Sequence, residues 1–222
     1  MRWSLLVWAR VCVRGNHSIL QGFQRVGSNF LPLGTPLRTE NGTETTDKMS
    51  KINPQELLKR FAATISKQSL GLVAHAPEPW AHPMHCVRNV TQKVSRDGGR
   101  AVLGWVFLDR HSPEYGDYLI AQHHAVWCAS GSTIGVDITP FHENLKHRPY
   151  SPGGNVLFLL DDAAQPKAIG QLVVPLASRF FPATDDPKLA AYIETLSSKE
   201  QAECQAIYEA ACAGQPGSER PH

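Results

Sequence analysis

Between Arg100 and Pro140 the chain carries three apolar, β-rich runs separated by short turn sequences, and this pattern constrains the fold most. RAVLGWVFLD (100–109) is rich in β-branched and aromatic residues and predicts a strand. HSPEYGD predicts a turn, and YLIAQHHAVWCAS (118–130) a second strand. Gly131-Ser132 predicts a tight connection into TIGVDITP (133–140), a third strand stopped by its proline. Such a meander buries one face only if something packs on it. The segment just before it supplies the candidate. HCVRNVTQKVSRDGG places Val87, Val90 and Val94 at helical spacing and ends in Gly98-Gly99, a helix stop. The fold class expected is therefore α+β, with a helix packed on an antiparallel sheet.

Flanking segments extend this unit. Asn53-Pro54 predicts a capped helix start, with Leu57, Leu58, Phe61 and Ile65 along one face. GLVAHAPEPWAHPMH (71–85), rich in Pro and His, reads as a loop. NVLFLLDD and AIGQLVVPL predict two further strands. The segment entered through Asp186-Pro187 predicts a terminal helix or helix pair, followed by a loose tail from 214. The domain expected spans 49–213. Gly153-Gly154 lacks the context of a phosphate loop and reads as a turn.

Residues 1–48 differ in character. Five arginines precede the first acid, Glu40, which is the composition of a mitochondrial transit peptide. The reading favoured is a natural start at Met49, with a disordered leader upstream and a cytoplasmic protein. If the leader is a transit peptide, the compartment is mitochondrial instead. Formal net charge is +2 from 22 basic and 20 acidic residues, which gives no reason to expect a nucleic-acid partner. No apolar run is long enough to suggest a membrane span. Five scattered cysteines without a CxxC pair argue against a disulfide framework and against a structural zinc site. Cys204 and Cys212 read as half-buried helix residues.

Three side chains carry the chemistry. Cys86 falls at the start of the predicted second helix, where unpaired N–H groups and a partial positive charge favour a thiolate and can hold an oxyanion. His124 lies in the second strand of the meander and Asp137 in the third, at offsets from the turn that allow direct or diagonal pairing. A thiol facing an imidazole that a carboxylate orients is the arrangement of acyl transfer. Each residue alone also has an ordinary reading: a core cysteine, a satisfied buried histidine, a turn-capping aspartate. Their order along the chain favours the triad.

The stretches HCVRNV, HAVW (124–127) and VDITP (136–140) resemble the transglutaminase-like part of the papain-like cysteine hydrolase superfamily. His124 lies 38 positions after Cys86, and Asp137 a further 13. The resemblance implies a papain- or transglutaminase-like fold, with Cys86 as nucleophile, His124 as general base and Asp137 as orienter. It implies a cofactor-free hydrolase or acyltransferase acting on an amide or isopeptide bond of a protein or peptide. Two departures stand out: Met84-His85 precede the cysteine and Val87 follows it, and no glutamine stands just upstream, leaving a second oxyanion donor unassigned. The alternative class is a non-catalytic protein- or peptide-binding module. A zinc site from His82, His85, Cys86 and His123 or His124 matches no familiar ligand spacing. His123 must point to the opposite sheet face from His124 and reads as surface or packing. Trp80 and Trp105 read as core aromatics before cleft residues, and Asn89, one turn after Cys86, reads either as an aid to an oxyanion or as a residue without a role.

Overall fold

A computed structural model describes residues 53–142, 154–169 and 172–214 of the chain. Helix α1 (Pro54–Ile65) starts as its sequence requires: the Asn53 side chain accepts from the Gln55 N–H at 3.0 Å, and Pro54 fills the first turn. After it come β1 (Leu70–His75), α2 (Cys86–Asp97), and two strands of 13 residues each, β2 (Arg100–Ser112) and β3 (Gly116–Cys128). The chain continues through β4 (Gly135–Asp137), β5 (Asn155–Leu160), β6 (Lys167–Ile169), β7 (Leu172–Val174) and β8 (Arg179–Pro182), ending in α3 (Pro187–Ala213).

The fold is α+β, but the sheet is mixed rather than antiparallel. β1 runs parallel to β4, and the other pairings are antiparallel. This corrects the reading of 71–85 as a loop throughout. Its first residues form β1, a strand in the middle of the sheet; alternating burial marks it, but six residues that include a glycine and lead into a Pro/His-rich run leave little pattern to read. β8 was also unforeseen. The predicted strand 168–176 is instead a small hairpin, β6 with β7. The predicted third strand shortens to Gly135–Asp137. Ahead of it the Ser132 hydroxyl accepts from the Ile134 N–H, and behind it the Asp137 carboxylate accepts from the Thr139 N–H; both local bonds pull backbone out of the ladder. At the far end Asp186 caps a single helix of 27 residues, not a pair.

The strand pairings close on themselves. β2 pairs with β5, β5 with β1, β1 with β4, β4 with β3, and β3 again with β2, while β8 extends the outer half of β3. Alternation then sorts the side chains into an inner and an outer set. Val73, Val106, Val126, Val156, Phe158 and Leu160 pack within the ring. Outside it, Leu57, Leu58, Phe61 and Ala62 of α1 cover Trp105, Phe107, Leu157 and Leu159. Val90 of α2 packs on Leu103, Ala125 and Ile138. Gly104 sits where the ring closes: a Cβ there would meet the Leu159 carbonyl oxygen at 2.0 Å and the Phe158 ring at 2.7 Å.

Candidate active site

β3 and β4 hold two of the three candidate groups, and their register fixes the geometry. Trp127 lies opposite Val136 and Cys128 opposite Gly135. Continuing that register sets Asp137 beside Val126, diagonal to His124 on the same inward face, one of the arrangements the offsets allow. His124 Nε2 and Asp137 Oδ1 are 2.9 Å apart, with both side chains buried. A carboxylate accepts, so Nε2 carries the proton and donates, leaving Nδ1 for the remaining partner.

That partner is Cys86. Beyond the two paired positions β3 and β4 part, and the first residue of α2 comes to the opening. The Leu103 carbonyl accepts from the Asp161 N–H, so Leu103 and its partner Ala125 form a non-hydrogen-bonded pair. The Ala125 N–H therefore points away from β2, toward the opening, where it helps pull the Cys86 thiol down. The thiol also stands beside His124, close enough for each group to shift the other's titration. Cys86 remains half-buried, so its residue reaches solvent on one side.

The electrostatics of the three groups are coupled. Burial pushes the Cys86 thiol up, but the charge and hydrogen bond of His124 and the Ala125 N–H outweigh it. The Asp137 carboxylate opposes them, and the net shift is downward. Burial by itself pushes His124 down; Asp137 and Cys86 more than reverse this and raise it to about 10. Asp137 is held below its ordinary value: burial pushes it up, and His124, the Thr139 N–H and His75 pull it down further. The arrangement favours thiolate beside imidazolium beside carboxylate over the neutral thiol and imidazole.

The approach to Cys86 is constrained backbone. Met84, two residues before it, is the one non-glycine among the described residues with positive φ, at 66°. That conformation costs about 1–3 kcal/mol and persists only where its surroundings enforce it. His85 caps α2 without a side-chain bond. The main-chain N–H groups of the first turn thus have no intrahelical acceptor and point out beside the thiol. No acid lies in that turn.

The remaining sequence candidates separate. His123 is buried on the outer face, with Nε2 donating to the Ala164 carbonyl at 2.9 Å and the ring edge-on to Trp105. It packs, as one of its two readings had it. Trp105 lies under α1 and donates to Asp161, so it lines no cleft. Trp80 packs against α2 and donates to Glu78, which is paired with Lys93 of that helix. No group of three or more His, Cys, Asp or Glu among the described residues is arranged to hold a metal ion. Among them too, no helix is long and apolar enough to cross a membrane. Cys12 and Gly153 lie outside the described residues.

Asn89 is 2% exposed, and both ends of its amide are engaged by His82 and Thr139, which leaves it no group to offer an oxyanion. His75, which no sequence pattern marks, donates from Nε2 to the Thr139 carbonyl at 3.0 Å, and its ring stacks on Phe141. Neither has a motif signal. A polar residue on the packed side of an amphipathic helix, one turn after the cysteine, was the one hint for Asn89. Compared with family models, with curated proteins and with solved structures, the chain matches none.

Proposed function

We propose that this protein is a cofactor-free cysteine hydrolase or acyltransferase of the transglutaminase-like kind, cytoplasmic, acting on an amide or isopeptide bond in a protein or peptide. One observation carries the reading. Half-buried Cys86, the first residue of a helix, sets its thiol beside a buried imidazole that interacts with it and whose Nε2 is held at 2.9 Å by a buried carboxylate.

The chemistry follows from the charges. The Cys86 thiolate attacks the carbonyl carbon, forming a C–S bond and moving the carbonyl π pair onto oxygen. N–H groups at the start of α2 receive that oxyanion. As the intermediate collapses the C–N bond breaks, and the amine leaves with the proton that His124 donates from Nδ1. Water or an acceptor amine then attacks the thioester while His124 takes its proton, and Cys86 leaves as thiolate. Asp137 keeps the proton on Nε2 throughout, so that Nδ1 always faces the reaction.

Two measurements test this. Iodoacetamide at pH 6–7 is expected to label Cys86 at least tenfold faster than Cys204, whose thiol burial and the nearby Glu200 and Glu203 push up. Cys86→Ala is expected to abolish release of ammonia or amine from glutamine-containing and isopeptide-linked peptides in a protein that still unfolds cooperatively. Turnover that survives in Cys86→Ala refutes the assignment. Rapid labelling without turnover on any such peptide favours the non-catalytic binding module.

A further inference from the structure

We infer that Asn89, acting with Thr139, is a positioning residue that ties the nucleophile helix to the strand end carrying Asp137; the inference rests on the acyl-transfer reading above. Asn89 lies one turn after Cys86. Its Oδ1 accepts from the His82 N–H at 3.1 Å, and its Nδ2 donates to the His82 carbonyl at 2.8 Å and to Thr139 Oγ1 at 3.2 Å. Both amide hydrogens are therefore used, in a site almost closed to solvent. Thr139, 4% exposed, has its other polar atoms engaged as well. Its N–H donates to Asp137 Oδ1 at 3.1 Å, and its carbonyl accepts from His75 Nε2 at 3.0 Å.

A continuous set of bonds runs from α2 through Thr139 to the Asp137 carboxylate and on to His124, which stands beside the thiol at the start of α2. Within it, Asn89 has two tasks. By holding His82 at both N–H and carbonyl it fixes the start of the turn in which Met84 takes its left-handed conformation, and so the point where Cys86 begins the helix. By donating to Thr139 it fixes the distance between that helix and the carboxylate. Asparagine is a mediocre helix former, and an apolar residue would pack this position without leaving polar atoms to satisfy. A buried amide there is explained by what it holds.

The test uses the full chain and the pH dependence of Cys86 alkylation by iodoacetamide, read beside the unfolding midpoint. Thr139→Val keeps the shape and the backbone bond to Asp137 but removes the acceptor for Asn89. Alkylation of Cys86 at pH 6 is expected to fall about tenfold, because the thiol titration moves up by about one pH unit. Thr139→Ser, which keeps the hydroxyl, is expected to restore the wild-type profile, and Asn89→Ala to match or exceed the loss in Thr139→Val. An unchanged profile in folded Thr139→Val overturns the inference. So does unfolding of both Thr139→Val and Asn89→Ala, which makes the network a fold determinant only. A wild-type Cys86 that titrates like an ordinary thiol fails the acyl-transfer reading itself, whereas a depressed wild-type titration with unmoved variants fails this inference alone.

Discussion

Replacing Asp137 by asparagine isolates what the carboxylate does. The two side chains have nearly the same shape, and the amide oxygen can still accept from the Thr139 N–H and from His124 Nε2. Two things change. The charge disappears, and an NH₂ takes the place of Oδ2, which has no hydrogen-bond partner in its buried site. At an effective dielectric of about 20, a unit charge roughly 4 Å from the imidazolium contributes about 4 kcal/mol. The same carboxylate repels the thiolate and raises the Cys86 pKa, which offsets roughly half of this. A net of about 2 kcal/mol remains, and the thiolate–imidazolium form in Asp137→Asn is expected to lose about thirtyfold in population. Alkylation of Cys86 followed by mass spectrometry from pH 4 to 10 reads this directly. The low-pH limb moves up, and the limb near 10 that belongs to His124 in the wild type falls toward the ordinary imidazole range. A folded Asp137→Asn protein with an unshifted profile would refute the coupling of carboxylate, imidazole and thiol.

Further outcomes follow from the same geometry. His124, raised to about 10, adds stability that is complete below about pH 6.5 and lost as pH rises through the folded value. Cys86 is lowered, so its contribution has the opposite slope, absent below its folded pKa and gained up to the pKa of an unfolded thiol. In the wild type the two slopes oppose, so urea-unfolding stability is expected to vary less with pH than in Cys86→Ala; in Cys86→Ala only the His124 slope remains, and stability declines above about pH 6.5 by at most about 1.4 kcal/mol per unit. A flat Cys86→Ala profile would show that Asp137 by itself does not raise His124. Gly104→Ala drives a methyl into the Leu159 carbonyl and the Phe158 ring, and its cost by urea unfolding is expected to be about 3 kcal/mol or more; a loss under about 0.5 kcal/mol would mean that β2 and β5 part easily. Phe61→Ala removes a buried ring 5.1 Å from Phe181 and 5.5 Å from Phe107 and is expected to cost about 3–5 kcal/mol without changing Cys86 alkylation in the folded protein. An altered alkylation profile would show that α1 bears on the site.

How much of this was legible depended on the length and regularity of each signal. The β2–β3 hairpin and α2 declare themselves because their apolar periodicity is sustained, and Gly98, at φ 71°, stops the helix as a glycine there should. The positions of Cys86, His124 and Asp137 follow from those elements, since a helix start and two neighbouring strands leave few ways to arrange them. What stayed hidden was short or non-local. β1 spends its six residues between a loop and a Pro/His-rich run, and its partners are a parallel strand about sixty residues on and an antiparallel one more distant still. β8 has only four residues beside β3 and precedes a strong helix signal. The bonds of Asn89, Thr139 and His75 join residues far apart in sequence, and no spacing rule anticipates them.

β4 makes two pairs with β3 and two with β1. Side chains alternate faces, so sliding β4 by a single residue would turn Val136 inward and point the carboxylate outward. Two hydrogen-bonded neighbours share the task of preventing that slip, and one of them contributes no reacting group. Alterations in the plain stretch Leu70–His75 therefore threaten the chemistry as directly as alterations beside the thiol, while the bend at 129–134 can tolerate new residues so long as both neighbours keep their hold on β4.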